Sequence, residues 1–164
     1  MPADPDFGAI LGVLIRHHVR FVVIGGLAAV VHGSPIATED VDVTPDTSLD
    51  NLSRLSEALT ELGAQVRFDD QALPFSHDAE SLAAAGVWNL RTRFGDLDIS
   101  MVPSGTTGYP DLVRDAGDVA VYDLVIPVAS LADVIRSKQA ANRPKDQRVL
   151  PVLREILASR FERD

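Results

Sequence analysis

The chain has 164 residues, 46% of them hydrophobic and none of them cysteine, which predicts one domain spanning residues 1–164 and excludes disulfides and thiolate chemistry. The net charge of −9 argues against a nonspecific nucleic-acid binder, although eight Lys or Arg stand against five Asp or Glu from Leu131 onward. There is no apolar run of about 18 residues, and the first seven residues are not basic, so we expect no membrane span, no signal peptide and a cytoplasmic location.

Apolar spacing predicts alternating helices and strands. In chain order these are a helix over 7–17, a strand over 21–24, a short helix over 27–32, a strand around Val41 and Val43, and a helix over 49–62. There follow a strand over 65–68, a loop over 69–76, a short helix over 78–85, a hairpin of 87–94 with 97–102, one or two strands within 119–127, and closing helices over 130–141 and 145–159. Pro151 should kink or split the last helix. The sum is an α/β fold with a mixed sheet.

Two pairs of aspartates, Asp40 with Asp42 and Asp96 with Asp98, lie on predicted strands. Asp40 and Asp42 are two residues apart, so their side chains point the same way. Adjacent carboxylates repel, and a divalent cation removes that cost, which makes them candidate Mg²⁺ ligands. Asp98, in the predicted hairpin, could join them from a neighbouring strand. A solvated acidic strand face would give the same pattern.

Phosphate-binding candidates stand earlier and later in the chain. Gly25 and Gly26 end a strand and lead into a helix, where free N–H groups and small residues favour an anion. A tight strand-to-helix turn would need the same glycines. Lys138, Arg143 and Lys145 lie on or between the two closing helices and could bind phosphates. Asp146 lies in the first turn of the last helix, where an acid also complements the helix dipole.

The order of these motifs resembles the nucleotidyltransferase fold of the polymerase β type. The match is Gly-Gly, then Thr-x-Asp-x-Asp, Gly-x-Leu-Asp-Ile, and Lys followed by Arg-Pro-Lys-Asp, within residues 18 to 158. In this short form it resembles the AbiEii and MenT toxins of bacterial toxin–antitoxin pairs, and it is similar to small antibiotic nucleotidyltransferases of the lincosamide group. The resemblance implies a minimal fold with a mixed sheet, flanking helices and two C-terminal helices. The family motif is often Gly-Ser, and Gly26 stands here in place of the serine, so the backbone or Ser34 would have to hold the phosphate instead.

The toxin resemblance implies Thr38, Asp40, Lys138 and Asp146 as active-site positions. It also implies transfer of a nucleoside monophosphate from a nucleoside triphosphate, with CTP and UTP as candidates, to the 3′ end of tRNA, and a cognate antitoxin as a partner. It leaves open whether Asp98 or Asp146 is the third functional acid.

We expect Asp40, Asp42 and Asp98 to hold Mg²⁺, Asp98 to activate the acceptor hydroxyl, and Lys138 with Gly25 and Gly26 to receive the leaving charge. Arg143 and Lys145 would contact phosphates of the nucleotide or the acceptor. Two alternatives remain, namely an antibiotic nucleotidyltransferase with a small-molecule acceptor and an inactive fold that binds a partner protein.

Overall fold

An eight-stranded mixed sheet organises the computed structural model, which describes residues 4–162. The strand order is β4-β3-β5-β6-β2-β1-β8-β7. The pairs β2–β6 and β1–β8 are parallel, and the other neighbours are antiparallel. The strands are β1 Phe21–Ile24, β2 Asp40–Pro45, β3 Gln65–Phe68, β4 Gln71–Leu73, β5 Val87–Thr92, β6 Gly95–Ser100, β7 Gly117–Val121 and β8 Leu124–Val128.

Seven helices in the described part of the chain flank this sheet. They are α1 Phe7–Arg16, α2 Gly25–Val31, α3 Leu49–Glu61, α4 Ala79–Ala83, α5 Tyr109–Val113, α6 Leu131–Ala141 and α7 Pro144–Glu162. Side-chain oxygens of Ser48 and Ser130 accept hydrogen bonds from backbone N–H groups in the first turns of α3 and α6. These caps satisfy donors that a helix start leaves free, and so they fix where both helices begin.

The two faces of the central strands differ in chemistry. Val41 and Val43 of β2 and Leu97 and Ile99 of β6 are almost completely buried in the hydrophobic core. Helix α1 contacts β2, β6 and β8. The alternate residues of the same two strands are aspartates, which the period of a strand places on the opposite face. One face of these two strands therefore packs into the hydrophobic core, and the other face carries polar groups.

Most predicted elements are present, and four details differ. The strand over 21–24 and the two closing helices are confirmed, as is the mixed α/β fold. Helix α2 begins at Gly25 rather than two residues later, strand β4 lies in the predicted loop, and α5 was not predicted. Pro151 lies inside one continuous helix, so of the two predicted outcomes the split is wrong and the kink stays a prediction.

Among residues 4–162, no helix combines the length and the apolar character that crossing a membrane requires. A single domain over residues 1–164 stays a prediction. Residues 1–3 and 163–164 lie outside the described residues. Part of the non-basic N-terminal segment is among them.

Candidate active site

Strand register brings three carboxylates together on the polar face. In the parallel pair of β2 and β6, Asp42 is the partner of Asp98, and Asp40 is the partner of Asp96. Carboxylate oxygens of Asp40, Asp42 and Asp98 all lie within 4.8 Å of one another. Hard oxygen ligands at this spacing are the donor set that Mg²⁺ prefers. The predicted convergence of Asp98 with the Asp40–Asp42 pair is thus present in the structure.

The protonation of this cluster reflects burial and crowding. Burial raises the pKa of Asp42 to about 6, and the charge of Asp40 adds to the effect. Burial, a hydrogen bond with Asp40 and the charge of Asp42 raise the pKa of Asp98 to about 7. Three carboxylates that repel one another gain from a cation that neutralises them. The donor set therefore fits a divalent ion in chemistry as well as in geometry.

The two glycines lie against this cluster. Gly25 has φ of +66°, and a Cβ atom placed on it would lie 2.4 Å from Oδ2 of Asp42. A Cβ on Gly26 would lie 2.7 Å from Oγ1 of Thr38, and that hydroxyl also donates to the backbone oxygen of Asp40 at 3.3 Å. Glycine is thus required at both positions by close approach, and at Gly25 also by the left-handed backbone. The start of α2 and the carboxylates therefore lie in close contact and form one continuous surface.

The cations of the C-terminal helices face the same carboxylates. Lys145, Lys138 and Arg143 all act electrostatically on Asp42 and oppose the rise of its pKa. Lys138 is 8% exposed, and its own pKa is lowered by burial despite the charges of Asp146 and Asp42. All three predicted cations therefore lie near the cluster.

Asp146 holds this cationic group in place rather than joining the carboxylate cluster. It is fully buried, and its Oδ2 accepts from the backbone N–H of Arg143 at 3.0 Å and from its Nε at 2.8 Å. Nζ of Lys138 lies 3.6 Å from Oδ1. Burial alone would raise the pKa of Asp146, but the hydrogen bonds and charge of Arg143 hold it below its usual value. Of the two candidate third acids, Asp98 is the one beside Asp40 and Asp42.

A further cation, Arg67 on β3, contacts the cluster from the opposite side. Its Nη2 donates to Oδ1 of Asp98 at 3.0 Å, and its Nη1 lies 3.2 Å from Oδ2 of Asp96. Nothing in the local sequence around Arg67 marks it, because the contact depends on β3 and β6 both pairing with β5. The sequence interpretation missed this residue.

No known protein family matches the chain, and no curated protein sequence matches it. Solved structures do. A lincosamide antibiotic adenylyltransferase, LnuA, with lincomycin bound, is similar with a TM-score of 0.62 and 16% identity over 92% of this chain and 95% of that chain. A nucleotidyltransferase candidate from Thermotoga maritima gives 0.52 and 21% over 93% and 91%. The antibiotic-resistance factor ANT(2'')-Ia gives 0.53 and 14% over 95% and 91%.

These likenesses establish the fold. The mixed sheet, the flanking helices and the two C-terminal helices form the nucleotidyltransferase fold, as the sequence predicted. At identities of 14–21%, they carry no substrate to this chain. The site itself combines a carboxylate cluster, a glycine-lined helix start, the buried Lys138 and the exposed Arg143 and Lys145. Such a site can hold a metal–triphosphate and stabilise the charge of a departing phosphate.

Proposed function

We propose that the chain is a Mg²⁺-dependent nucleotidyltransferase, which moves a nucleoside monophosphate from a nucleoside triphosphate to a hydroxyl acceptor. The observation that carries the proposal is the position of Asp40, Asp42 and Asp98 within 4.8 Å of one another, together with the charges of Lys138, Arg143 and Lys145 that act on Asp42. Carboxylates without facing cations would bind a metal but would leave the phosphates uncompensated. Cations alone would bind an anion without activating it.

Asp40, Asp42 and Asp98 would hold the metal. When bound, Mg²⁺ supplies charge neutralisation on the triphosphate and lowers the cost of forming an alkoxide on the acceptor. The acceptor oxygen attacks the α-phosphorus, the bond from that phosphorus to the bridging oxygen breaks, and pyrophosphate leaves. Asp98 takes the hydroxyl proton, because β6 is the strand of this pair that lies next to β5, where the polar face carries the exposed Asn89 and Arg91.

The remaining residues orient the triphosphate and receive the leaving charge. The N–H groups at the start of α2 and the ammonium of Lys138 would bind the β- and γ-phosphates, with Arg143 and Lys145 as further phosphate ligands. Oγ1 of Thr38 lies 2.7 Å from where a Cβ atom of residue 26 would be, so this hydroxyl would serve in place of the serine that is frequent in the Gly-Ser motif. Asp146 is a positioning residue for Lys138 and Arg143.

For the acceptor we propose an RNA 3′ end, with tRNA as the first candidate and a translation-blocking toxin with a cognate antitoxin as the biological setting in the cytoplasm. The order of motifs supports this, as does the excess of basic residues after Leu131. A small-molecule acceptor is the second candidate. It is favoured by the likeness to the lincomycin-bound adenylyltransferase, which is similar over 92% of this chain.

The test is to incubate the protein with Mg²⁺ and each α-labelled nucleoside triphosphate, CTP and UTP included, together with total RNA or with lincomycin. Label on RNA in a denaturing gel supports the first acceptor, and an adduct of lincomycin in a mass spectrum supports the second. The Asp42→Asn protein is the control for both. If no acceptor is labelled and calorimetry detects no Mg²⁺-dependent nucleotide binding, the protein is an inactive partner-binding fold and the proposal is wrong.

A further inference from the structure

The carboxylate-bearing face of the sheet is open beyond Asp98. Asn89 of β5 lies directly opposite Asp98, and Arg91 lies opposite Asp96. Directly opposed residues on neighbouring antiparallel strands share a face, so this surface extends from the cluster onto β5. Asn89 and Arg91 are exposed, whereas Leu90 between them is fully buried on the core side. A molecule can therefore approach Asp98 across β5, where it meets the side chain of Arg67, which donates to the backbone oxygen of Leu90 and to Asp98.

The geometry of in-line transfer indicates which reactant would enter over the exposed surface of β5 and β6. The attacking and leaving oxygens lie on opposite sides of the phosphorus. The helix start at Gly25 and the cations near Asp42 lie on one side of the carboxylates and are the seat of the leaving phosphates. The attacking hydroxyl must then enter from the other side, over β6 and β5. Arg67 lies on that side, in direct contact with Asp98.

The contacts of Arg67 would change when the site is loaded. Its guanidinium is shared between Asp96 and Asp98, with side-chain exposure of 22%. The guanidinium has five N–H donors, and its contacts with Asp98, Asp96 and the backbone oxygen of Leu90 do not use all of them. A metal ion on Asp98 would weaken the bond to that carboxylate, while Asp96 keeps the guanidinium anchored. A half-buried guanidinium with free donors in a fixed plane matches the oxygens of a phosphate.

We propose that Arg67 is an acceptor-binding residue, which takes a phosphate of a polynucleotide end and so sets the adjacent terminal hydroxyl beside Asp98. This inference rests on the proposed function, since it names the substrate class of the same site. With the metal bound to Asp98, this surface has two cations, Arg67 and Arg91, and one remaining acid, Asp96. The resulting positive charge favours an anionic acceptor and disfavours a polycationic drug.

The charge of the rest of the protein limits how much of the polynucleotide is bound. The net charge is −9, and the exposed Asp69 and Asp70 follow Arg67 in the turn between β3 and β4. An extended nucleic-acid backbone would meet repulsion there. Binding is therefore confined to the end of the chain, and Arg67 carries a large share of the phosphate contact.

The test compares Arg67→Gln and Arg67→Lys with Arg93→Gln as the matched control. Arg93 lies in the turn of the β5–β6 hairpin, and its guanidinium donates to the backbone oxygen of Glu61, away from the carboxylate cluster. The binding probe is a fluorescein-labelled RNA hairpin with a single-stranded 3′ end that terminates in a 3′-deoxynucleotide, with Mg²⁺ present. Anisotropy gives Kd over a range of salt concentrations. Steady-state transfer to the unblocked hairpin gives KM for RNA and for the nucleotide separately.

We expect Arg67→Gln to raise Kd and KM for RNA roughly tenfold and to leave KM for the nucleotide unchanged. The slope of log Kd against log salt should fall by about 0.7, the value for one phosphate contact on a single strand. Arg67→Lys should recover part of the affinity, because it keeps the charge but loses the planar pair of donors. Arg93→Gln should behave as the unmodified protein.

Two outcomes would overturn the inference. If Arg67→Gln lowers kcat with every acceptor and leaves the RNA Kd and its salt slope unchanged, Arg67 only positions Asp98. If the unmodified protein labels lincomycin and neither binds nor labels the hairpin, the acceptor is a small molecule. In both cases nucleotidyl transfer itself stands. Absence of transfer to any acceptor is the separate result that removes the proposed function, and this inference falls with it.

Discussion

Asp42 on β2 and Asp98 on β6 are direct partners in a parallel strand pair, although 56 positions separate them in the sequence. The pairing places two carboxylates side by side on the polar face, and Asp40 completes the group two residues before Asp42. Side chains on paired strands are held by the register of the sheet, so the cluster exists before any ligand arrives. Preorganised ligands of this kind lower the cost of binding a metal and of stabilising charge during the reaction.

Asp42→Asn should abolish transfer and leave the fold intact. The substitution keeps the shape of the side chain and removes one charged metal ligand, so we expect transfer to fall at least about a hundredfold. Mn²⁺ binding, measured by electron paramagnetic resonance, should weaken in parallel. Asp118→Asn, an exposed aspartate on β7, is the control and should change neither quantity. Full metal binding by Asp42→Asn would show that the cluster is not the metal site.

Gly25→Ala should lower both stability and activity. The φ of +66° disfavours alanine by roughly 1–2 kcal/mol, and the new Cβ would overlap Oδ2 of Asp42 at 2.4 Å. The displaced carboxylate should weaken Mn²⁺ binding as well. Gly117→Ala is the matched control, since its Cβ would meet nothing within 4 Å. Urea unfolding and the transfer assay measure the two effects. Equal behaviour of the two alanine variants would contradict the close approach.

One hydroxyl near the start of α2 should work equally well whether position 38 or position 26 supplies it. Thr38→Ala removes the hydroxyl near the start of α2, and we expect KM for the nucleotide to rise about fivefold to tenfold, the effect of one hydrogen bond to a charged group. The double variant Gly26→Ser with Thr38→Ala should recover most of the loss, because alanine removes the 2.7 Å contact with Oγ1 and leaves only the contact with Cβ of residue 38 at 3.1 Å, which a small shift relieves. Gly26→Ser alone should not improve binding, since its Cβ meets Oγ1 of Thr38 at 2.7 Å. A double variant no better than Thr38→Ala would show that the hydroxyl has no such role.

Local patterns predicted those parts of the site that short stretches of chain determine. The run at β1 ended by Gly25, the alternation at Asp40 and Asp42, and the helices around Lys138 each depend on residues near one another in sequence. A strand period or a helix period is visible in such stretches. The fold followed from the order of these motifs, and the solved structures confirm it.

The remaining features depend on contacts that no local pattern carries. Strand β4 has three residues and α5 has five, too few for either period to be visible. The contact of Arg67 with Asp98 follows from the order β3-β5-β6, and register between distant strands is decided by packing of the whole sheet. The same holds for Asp146, which the sequence offered as a third acid. Its bonds with Arg143 are local, but its contact with Lys138 depends on the packing of α6 against α7.

Substitution of Asp146 should mainly lower stability, whereas substitution of Lys138 should mainly lower activity. Asp146→Asn removes the charge of a fully buried group that accepts from Arg143 and lies beside Lys138, so we expect the free energy of unfolding to fall by about 1–3 kcal/mol. Lys138→Met keeps the volume of the side chain and removes the ammonium that faces the phosphates. Its kcat/KM should fall at least about tenfold, mainly through KM for the nucleotide.

The control for this pair is Glu155→Gln, an exposed acid on the same helix as Asp146. It should change unfolding in urea by less than about 0.5 kcal/mol. If Asp146→Asn is as stable as the control but loses transfer completely, then Asp146 acts in the chemistry and not as the support of Lys138.

The carboxylate cluster should make the metal-free protein less stable as the pH rises. Burial and mutual repulsion raise the pKa of Asp42 to about 6 and that of Asp98 to about 7, above the ordinary value of 3.8. Between those values the folded protein binds more protons than the unfolded chain, so the free energy of unfolding falls with increasing pH. The contribution is complete below about pH 4 and is lost as the pH passes 7.

Comparison of the unmodified protein with Asp98→Asn isolates this effect from the other titrating groups. In EDTA the variant should be more stable at pH 8 by on the order of 2 kcal/mol, and the difference should disappear near pH 4. Added Mg²⁺ should reverse the order at pH 8, because the metal binds the ionised cluster of the unmodified protein and stabilises only the folded state. Urea unfolding at the two pH values, with and without Mg²⁺, measures all four differences. A variant that is less stable than the unmodified protein at pH 8 in EDTA would mean that Arg67 already neutralises Asp98, and that the three carboxylates do not repel one another enough to need a metal.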